Sequence, residues 1–388
     1  MQQNEVVTGN TVETQPENRH HYPALDGVRA LAFLMVFGQH YVNLPWGWAG
    51  VDLFFVLSGF LITGILFDTQ RRRHRVRDFY VRRVLRIFPL YYGVLLTIFL
   101  LTPLAHWQWN RYWLAWPLFL GNLVRFLHPY STNPAYLAVT PGLLVTRGGM
   151  QFYIGHLWSI AVEEQFYLVW PAVVFLVRDR RRLLCICGAV IAVLPVLRVV
   201  SLVYLPGRFA ELDWNYSVTP LRLDSFLMGG AAALLLRGSE RWLLMGARWI
   251  GGVVASVVTV YLALTLRLHG YLLPPWRFTW AITVIDLLAT ALVVMALVST
   301  GWIYRVLSAR PLRWLGRLSY GAYVFHVIAI RVYQGWAMRL GGALPLLARY
   351  PRLTTAAIAL PATLALAWLS FRFVESPFLR LKQRFAPA

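Results

Sequence analysis

Three observations predict an all-α integral membrane protein, about ten transmembrane helices in one bundle with both termini in the cytoplasm. The chain of 388 residues is 58% hydrophobic and 14% charged, with a mean hydropathy of +0.55, well away from the balance of soluble globules. Apolar stretches of about 20 residues, enough to cross a hydrocarbon core of roughly 30 Å, recur along nearly its whole length. Arginine-rich connections follow every second stretch, as the positive-inside rule requires of a multi-pass chain.

Taken in order, residues 1–20 are polar, lack the apolar core of a cleavable signal peptide, and read as a disordered cytoplasmic tail. Spans are then expected near 24–43, 50–68, 88–105, 154–177, 183–205, 218–236, 249–268, 277–300, 318–338 and 353–371. Together they form one domain over 21–378, followed by a short basic cytoplasmic tail at 379–388. Eight arginines lie between 71 and 86 and four between 178 and 182. Arg237, Arg241 and Arg248, then Arg305, Arg310, Arg313 and Arg317, and finally Arg372, Arg380, Lys382 and Arg384 complete the series. Each block follows an even-numbered span and faces the cytoplasm, whereas the connection 44–49 has no arginine and faces outward.

Trp109 to Tyr130 is apolar and tryptophan-rich, but a full span there would put the Arg178–Arg182 block outside. It is read as an interfacial or re-entrant element near 109–130, anchored by Trp107, Trp109, Trp113 and Trp116. Pro89 is expected to break or restart the helix at the mouth of the third span.

The net charge of +21 does not point to nucleic acid, because the cations sit in short blocks between apolar segments and form no extended basic face. Lys382 is the one lysine among 37 basic residues, and arginine's planar fork suits lipid headgroups and phosphate ligands alike. Cys185 and Cys187 point to opposite sides of one helix, so they neither pair nor chelate and read as packing residues. Metal-ligand spacing is absent, as are a Gly-x-Ser-x-Gly elbow and a phosphate-cradling glycine loop.

Ionisable groups at membrane depth are costly and mark a working site by default. Arg29 and His40 are eleven residues apart. On a helix this is about 1100° of rotation, roughly 20° past three full turns, with a rise of about 16 Å, so the two share a face. Asp26, three residues before Arg29, can pair with it at the cytoplasmic end. Taken singly, His40 could be an interfacial histidine and Arg29 a snorkelling anchor, but unrelated anchors need not align.

In the fourth span His156 and Glu163 are seven apart and stack on one face, while Glu164 turns about 100° away. Glu163 can orient a base, hold a substrate, or merely clamp an arginine such as Arg29 or Arg222. Arg82, Arg83 and Arg86 gather at the cytoplasmic mouth of the third span. They form either a polyphosphate clamp or a collar for lipid headgroups. Arg222 and Asp224 are two apart, point about 200° from each other on a helix, and must have separate partners. Ser319 and Tyr320 open the ninth span, where Ser319 could bond a headgroup or ligand, and His326 reads equally well as a satisfied core histidine.

Several of these residues fall in segments that resemble acyltransferase family 3, bacterial membrane enzymes that O-acylate O-antigens, exopolysaccharides and macrolides. The similar segments are Tyr22-Pro-Ala-Leu-Asp-Gly-Val-Arg29 with His40, Gly50-Val-Asp through Phe60, and the basic run with Arg82, Arg83, Arg86 and Pro89. Further on come Trp158-Ser159 through Glu163-Glu164-Gln-Phe-Tyr167, Arg222-x-Asp224, Ser319-Tyr320 with His326, and Glu375-Ser-Pro377, so the likeness runs from about 22 to 378.

The resemblance implies a multi-pass protein of the bacterial inner membrane and an acyl-coenzyme A co-substrate, most commonly acetyl-CoA, entering from the cytoplasm, with no permanently bound cofactor and no metal. It implies a hydroxyl acceptor on a carbohydrate, glycolipid or other lipid-linked molecule of the cell envelope. His40 corresponds to the catalytic histidine and Arg29 to its partner, with Glu163 or a neighbouring carboxylate fixing the imidazole tautomer. Asp26, Arg82, Arg83, Arg86, His156, Glu164, Arg222, Asp224, Ser319 and Tyr320 are the expected donor- or substrate-binding residues. Many relatives carry a fused extracytoplasmic esterase-like domain, and this chain is expected to be of the stand-alone kind. Two other readings are a glycolipid or polysaccharide transporter, whose cue would be interrupted helices repeated in two halves, and a membrane scaffold without aligned ionisable groups.

Overall fold

The computed structural model describes residues 22–105, 111–123, 143–145, 151–205, 214–238, 279–297 and 301–385. The tail 1–20, the span expected at 249–268, Trp107 and Trp109, and the last residues of the basic tail lie outside the described residues.

The chain is helical and multi-pass. Among the described residues, five helices are long and apolar enough to cross a membrane: Ala49–Thr69, Arg75–Pro103, Gly155–Val177, Arg180–Tyr204 and Pro351–Leu381. They correspond to the expected spans 50–68, 88–105, 154–177, 183–205 and 353–371. The helix α1 (Pro23–Val42) starts with proline at its first position, where a missing N–H costs nothing, and ends at Asn43 in the left-handed conformation. After α2 (Ala49–Thr69) comes α3 (Arg75–Ala105), which runs without interruption through Pro89. The break expected there is therefore absent. A neighbouring helix braces this stretch, since the Tyr320 hydroxyl donates to Ile87 O at 2.7 Å.

Of the tryptophan-rich element, the described part is a 3-10 turn, Arg111–Ala115, and further turns to residue 123. A two-stranded antiparallel hairpin follows, β1 (Leu143–Val145) and β2 (Gln151–Tyr153), then a 3-10 turn, Gly155–Leu157. Next are α4 (Trp158–Val177) and α5 (Arg180–Tyr204), joined by a tight turn in which Arg178 is left-handed and the Asp179 carboxylate accepts from Arg182 N–H at 2.8 Å.

The span expected at 218–236 is a composite, a 3-10 turn Thr219–Arg222 leading into α6 (Leu223–Leu235). Then come α7 (Trp280–Ala296), α8 (Trp302–Leu307) and α9 (Arg310–Phe325). The ninth span is not one helix over 318–338: α9 stops at Phe325 and α10 (Ile330–Ala343) begins four residues later. Finally α11 (Pro351–Ser370) passes through a π turn, Phe371–Glu375, into α12 (Ser376–Phe385).

The centre of the bundle is α2, packed against α1, α3, α4, α6 and α7. It meets α6 at very short range because both carry glycine at the crossing. A Cβ added at Gly59 would stand 1.9 Å from Phe226 O, and one at Gly229 would stand 1.9 Å from Val56 O. Helices without a hydrophobic driving force between them gain from such close packing. Gly229→Ala is expected to destabilise the bundle by about 1–3 kcal/mol or more, read as a lowered thermal midpoint in detergent.

Candidate active site

Two residues on α1 set the axis of the site. Arg29 lies in the second turn, where its Nη1 donates to Asp26 Oδ1 at 2.8 Å, forming the pair the sequence spacing allows. His40 lies in the last turn, exposed on one side. Eleven residues of unbroken helix separate them, about 16 Å along the axis. Arg83 and Arg86 of α3 stand close enough to Arg29 for their charges to act on it, so three guanidiniums lie near the N-terminal end of this axis. Arg82, also on α3, is half-buried, and Glu375 of the π turn lies within electrostatic range of Arg86.

At the C-terminal end of α1, the break between α9 and α10 organises the histidines. Interrupting a helix frees carbonyls that i+4 N–H groups would otherwise occupy, and at membrane depth each must find a partner. Four of them do so, three through tertiary contacts and one through a side chain of the same turn. Tyr323 O meets His326 Nδ1 at 2.6 Å, and Val324 O meets His156 Nε2 at 2.9 Å. His326 O accepts from the Tyr41 hydroxyl, and Ile328 O accepts from Tyr153 N–H at 3.0 Å. The result is a row of imidazoles, with ring centroids 5.3 Å apart for His40 and His326 and 5.2 Å for His326 and His156.

Between the two ends, one face of α4 carries a polar ladder. Ser159 Oγ lies 2.5 Å from the Tyr323 hydroxyl, and one turn further Glu163 Oε1 accepts from both the Ser58 and Tyr167 hydroxyls. The Arg83 guanidinium sits 4.8 Å from the centroid of the Tyr167 ring and feels the charges of Glu163 and Glu164. The Glu164 carboxyl has a buried oxygen, Oε1, with no hydrogen-bond partner among the described residues. Glu163 thus clamps neither Arg29 nor Arg222, and its hydrogen bonds go to Ser58 and Tyr167, not to an imidazole. The group beside His40 is His326.

Arg222 and Asp224 have the separate partners that their spacing demands. Arg222 Nη2 pairs with Asp52 Oδ1 at 2.5 Å, and Asp224 takes both Nη groups of Arg198, at 3.0 and 2.5 Å. All four side chains are fully buried. Asp286 of α7 accepts from Ser225 at 2.8 Å nearby. Ser319 is buried within α9, away from any headgroup, and Tyr320 serves as the brace to α3 described above.

The profile of an acyltransferase domain, that of the acyltransferase 3 family, matches residues 22–372. The chain belongs to this family. It is similar to a peptidoglycan O-acetyltransferase of Listeria monocytogenes, 27% identical over 381 residues that cover 93% of this chain and 56% of the relative. A putative peptidoglycan O-acetyltransferase of Bacillus subtilis is 28% identical over 389 residues, with the same coverage of 93% and 56%. A putative O-acetyltransferase of Staphylococcus aureus is 24% identical over 385 residues, 94% of this chain and 58% of its own. The chain therefore spans little more than half the length of these relatives. No solved structure matches it.

Family membership covers nearly all the described helices, and with them several polar residues that pattern reading passed over. Asp52, Arg198 and Asp286 each stand alone in an apolar run, and a lone charge in such a run is itself the signal that a partner exists. His326 was left undecided by sequence because its neighbours on the chain, Val327 and Ile328, carry no hint of a helix end.

Proposed function

We propose that this protein transfers an acyl group, most commonly acetyl, from acyl-coenzyme A supplied on the cytoplasmic side to a hydroxyl of an envelope glycan or lipid-linked saccharide. The reading places it in the bacterial inner membrane with ten spans and both termini in the cytoplasm, consistent with the arginine blocks. The observation that carries it is the placement of Arg29 and His40 at opposite ends of one helix, the first among three arginines and the second beside buried imidazoles. The names of the relatives support an acetyl donor and a glycan acceptor.

The extended donor lies along α1. Arg29, Arg83 and Arg86 hold its phosphates as planar, permanently charged donors, while the thioester reaches toward His40 about 16 Å away. His40 takes the proton of the acceptor hydroxyl as the oxygen attacks the thioester carbonyl. The C–S bond breaks, the ester forms, and the proton passes to the departing thiolate. Ser159 and Glu163 line the intervening face of α4, with His156 in the 3-10 turn that precedes it, and they would keep the tract polar. Asp52, Arg222, Arg198 and Asp224 hold α2, α5 and α6 around it.

Incubating membranes with labelled acetyl-CoA tests the reading. Label is expected in a glycan or lipid fraction with release of free coenzyme A. Arg83→Gln and Arg86→Gln should each raise the donor KM roughly tenfold or more, and the rise should be smaller for a donor lacking its 3′-phosphate. No release of coenzyme A by the intact protein would remove the reading. A transporter is disfavoured because the carbonyls at the break between α9 and α10 are taken by the protein's own Tyr41, Tyr153, His156 and His326.

A further inference from the structure

The imidazoles beside His40 are fixed in known protonation patterns by the broken helix. A carbonyl only accepts, so His326 Nδ1, 2.6 Å from Tyr323 O, must carry the proton, and its Nε2 is a bare lone pair. His156 is held the opposite way, with Nε2–H donating to Val324 O at 2.9 Å and Nδ1 bare. Both side chains are buried, His326 completely and His156 with 4% exposure. Neither His326 Nε2 nor His156 Nδ1 has a hydrogen-bond partner among the described residues. No group of three or more metal-binding side chains converges among the described residues.

His40 is the third ring. An in-line N–H···N bond of about 2.9 Å holds two imidazole centroids roughly 5 Å apart, and the His40–His326 separation is 5.3 Å. The torsion that turns a histidine ring is soft, so the exposed side of His40 leaves its ring free to turn its N–H toward that lone pair. His326 cannot turn in reply, because Tyr323 O holds its other nitrogen and Phe33, 6.1 Å between ring centroids, packs edge-on against it.

We infer that His326 is a positioning residue for acyl transfer, its Nε2 lone pair accepting one ring N–H of His40 and so leaving the other His40 nitrogen unprotonated toward the acceptor hydroxyl. This rests on the reading of His40 as the base. When His40 takes the hydroxyl proton it becomes an imidazolium that still donates to His326, and the proton then leaves from the same nitrogen to the coenzyme A thiolate. Unlike a carboxylate, a neutral imidazole acceptor orients the base without adding a charge at membrane depth.

Proteoliposomes assayed for coenzyme A release from acetyl-CoA supply the test. His326→Leu is expected to lower kcat roughly 10²-fold or more, as wrong-tautomer bases do, with the donor KM within about twofold. His326→Gln, whose amide oxygen stands near the place of Nε2, is expected to recover roughly tenfold. A purely packing role would spare kcat in any folded variant and would show no rescue by Gln.

Independently of turnover and of any variant's folding, the wild-type protein labelled with 15N-histidine should show a 15N–15N coupling across an N–H···N bond that disappears in His40→Ala. If His40→Ala abolishes release but kcat is unchanged in His326→Leu, or the coupling is missing, the positioning role fails and the base survives. If His40→Ala retains activity, the base reading fails and this inference with it.

Discussion

His40→Ala is expected to lose acyl transfer by about 10²- to 10⁴-fold in kcat while binding of acetyl-CoA stays close to that of the parent. The separation follows from geometry. In the proposed mechanism the donor's charge is met at Arg29, Arg83 and Arg86, about 16 Å down the helix from the imidazole, so removing the ring would take away proton transfer and leave the phosphate contacts. Isothermal titration of acetyl-CoA into purified protein, set beside initial rates of coenzyme A release, measures both quantities. Equal losses of affinity and rate would mean that His40 belongs to the donor's binding surface and not to its chemistry.

The second large effect concerns stability. Arg198→Leu leaves Asp224 fully buried with Thr283 Oγ1, at 3.1 Å, as its one remaining side-chain donor among the described residues, and is expected to destabilise the bundle by about 3–5 kcal/mol. Replacing both partners, Arg198→Leu with Asp224→Leu, removes the uncompensated charge and is expected to restore much of that loss. Thermal unfolding of the two single variants and the double variant in one detergent forms the cycle. Additive losses would mean that the two side chains act independently despite contacts of 3.0 and 2.5 Å.

The same residues show what was legible in the sequence. Helical arithmetic alone put Arg29, Asp26 and His40 on one face, because α1 is regular from Pro23 to Val42 and local geometry decides. Arg222 and Asp224 also have separate partners, although Arg222 ends a 3-10 turn and regular helical spacing does not by itself decide the outcome. Pro89 misled in one direction: the strongest local helix breaker sits inside a continuous helix, supported by α9. The stretch Phe325-His-Val-Ile-Ala-Ile330 misled in the other. It contains neither Gly nor Pro, yet the helix stops there, because four carbonyls are better satisfied by Tyr41, Tyr153, His156 and His326 than by their own turn. Three of those four partners are remote in sequence, so the balance is largely tertiary. The orientation of Glu163 toward Ser58 and Tyr167 was hidden likewise, since sequence gives the face of a residue but not which neighbouring helix covers it.

One measurement bears most directly on the claim that a single polar tract carries the thioester from the arginine cluster to His40. An acyl-CoA with a diazirine at the end of a short acyl chain, irradiated on the membrane-embedded protein and mapped by peptide mass spectrometry, reports where the acyl group rests. The expected label falls on the outer half of α1 near His40 or on the residues around His326 and His156, is displaced by excess coenzyme A, and weakens in Arg29→Gln. Label confined to the cytoplasmic connections or to the lipid-facing sides of α3 and α5, unaffected by coenzyme A, would contradict the account.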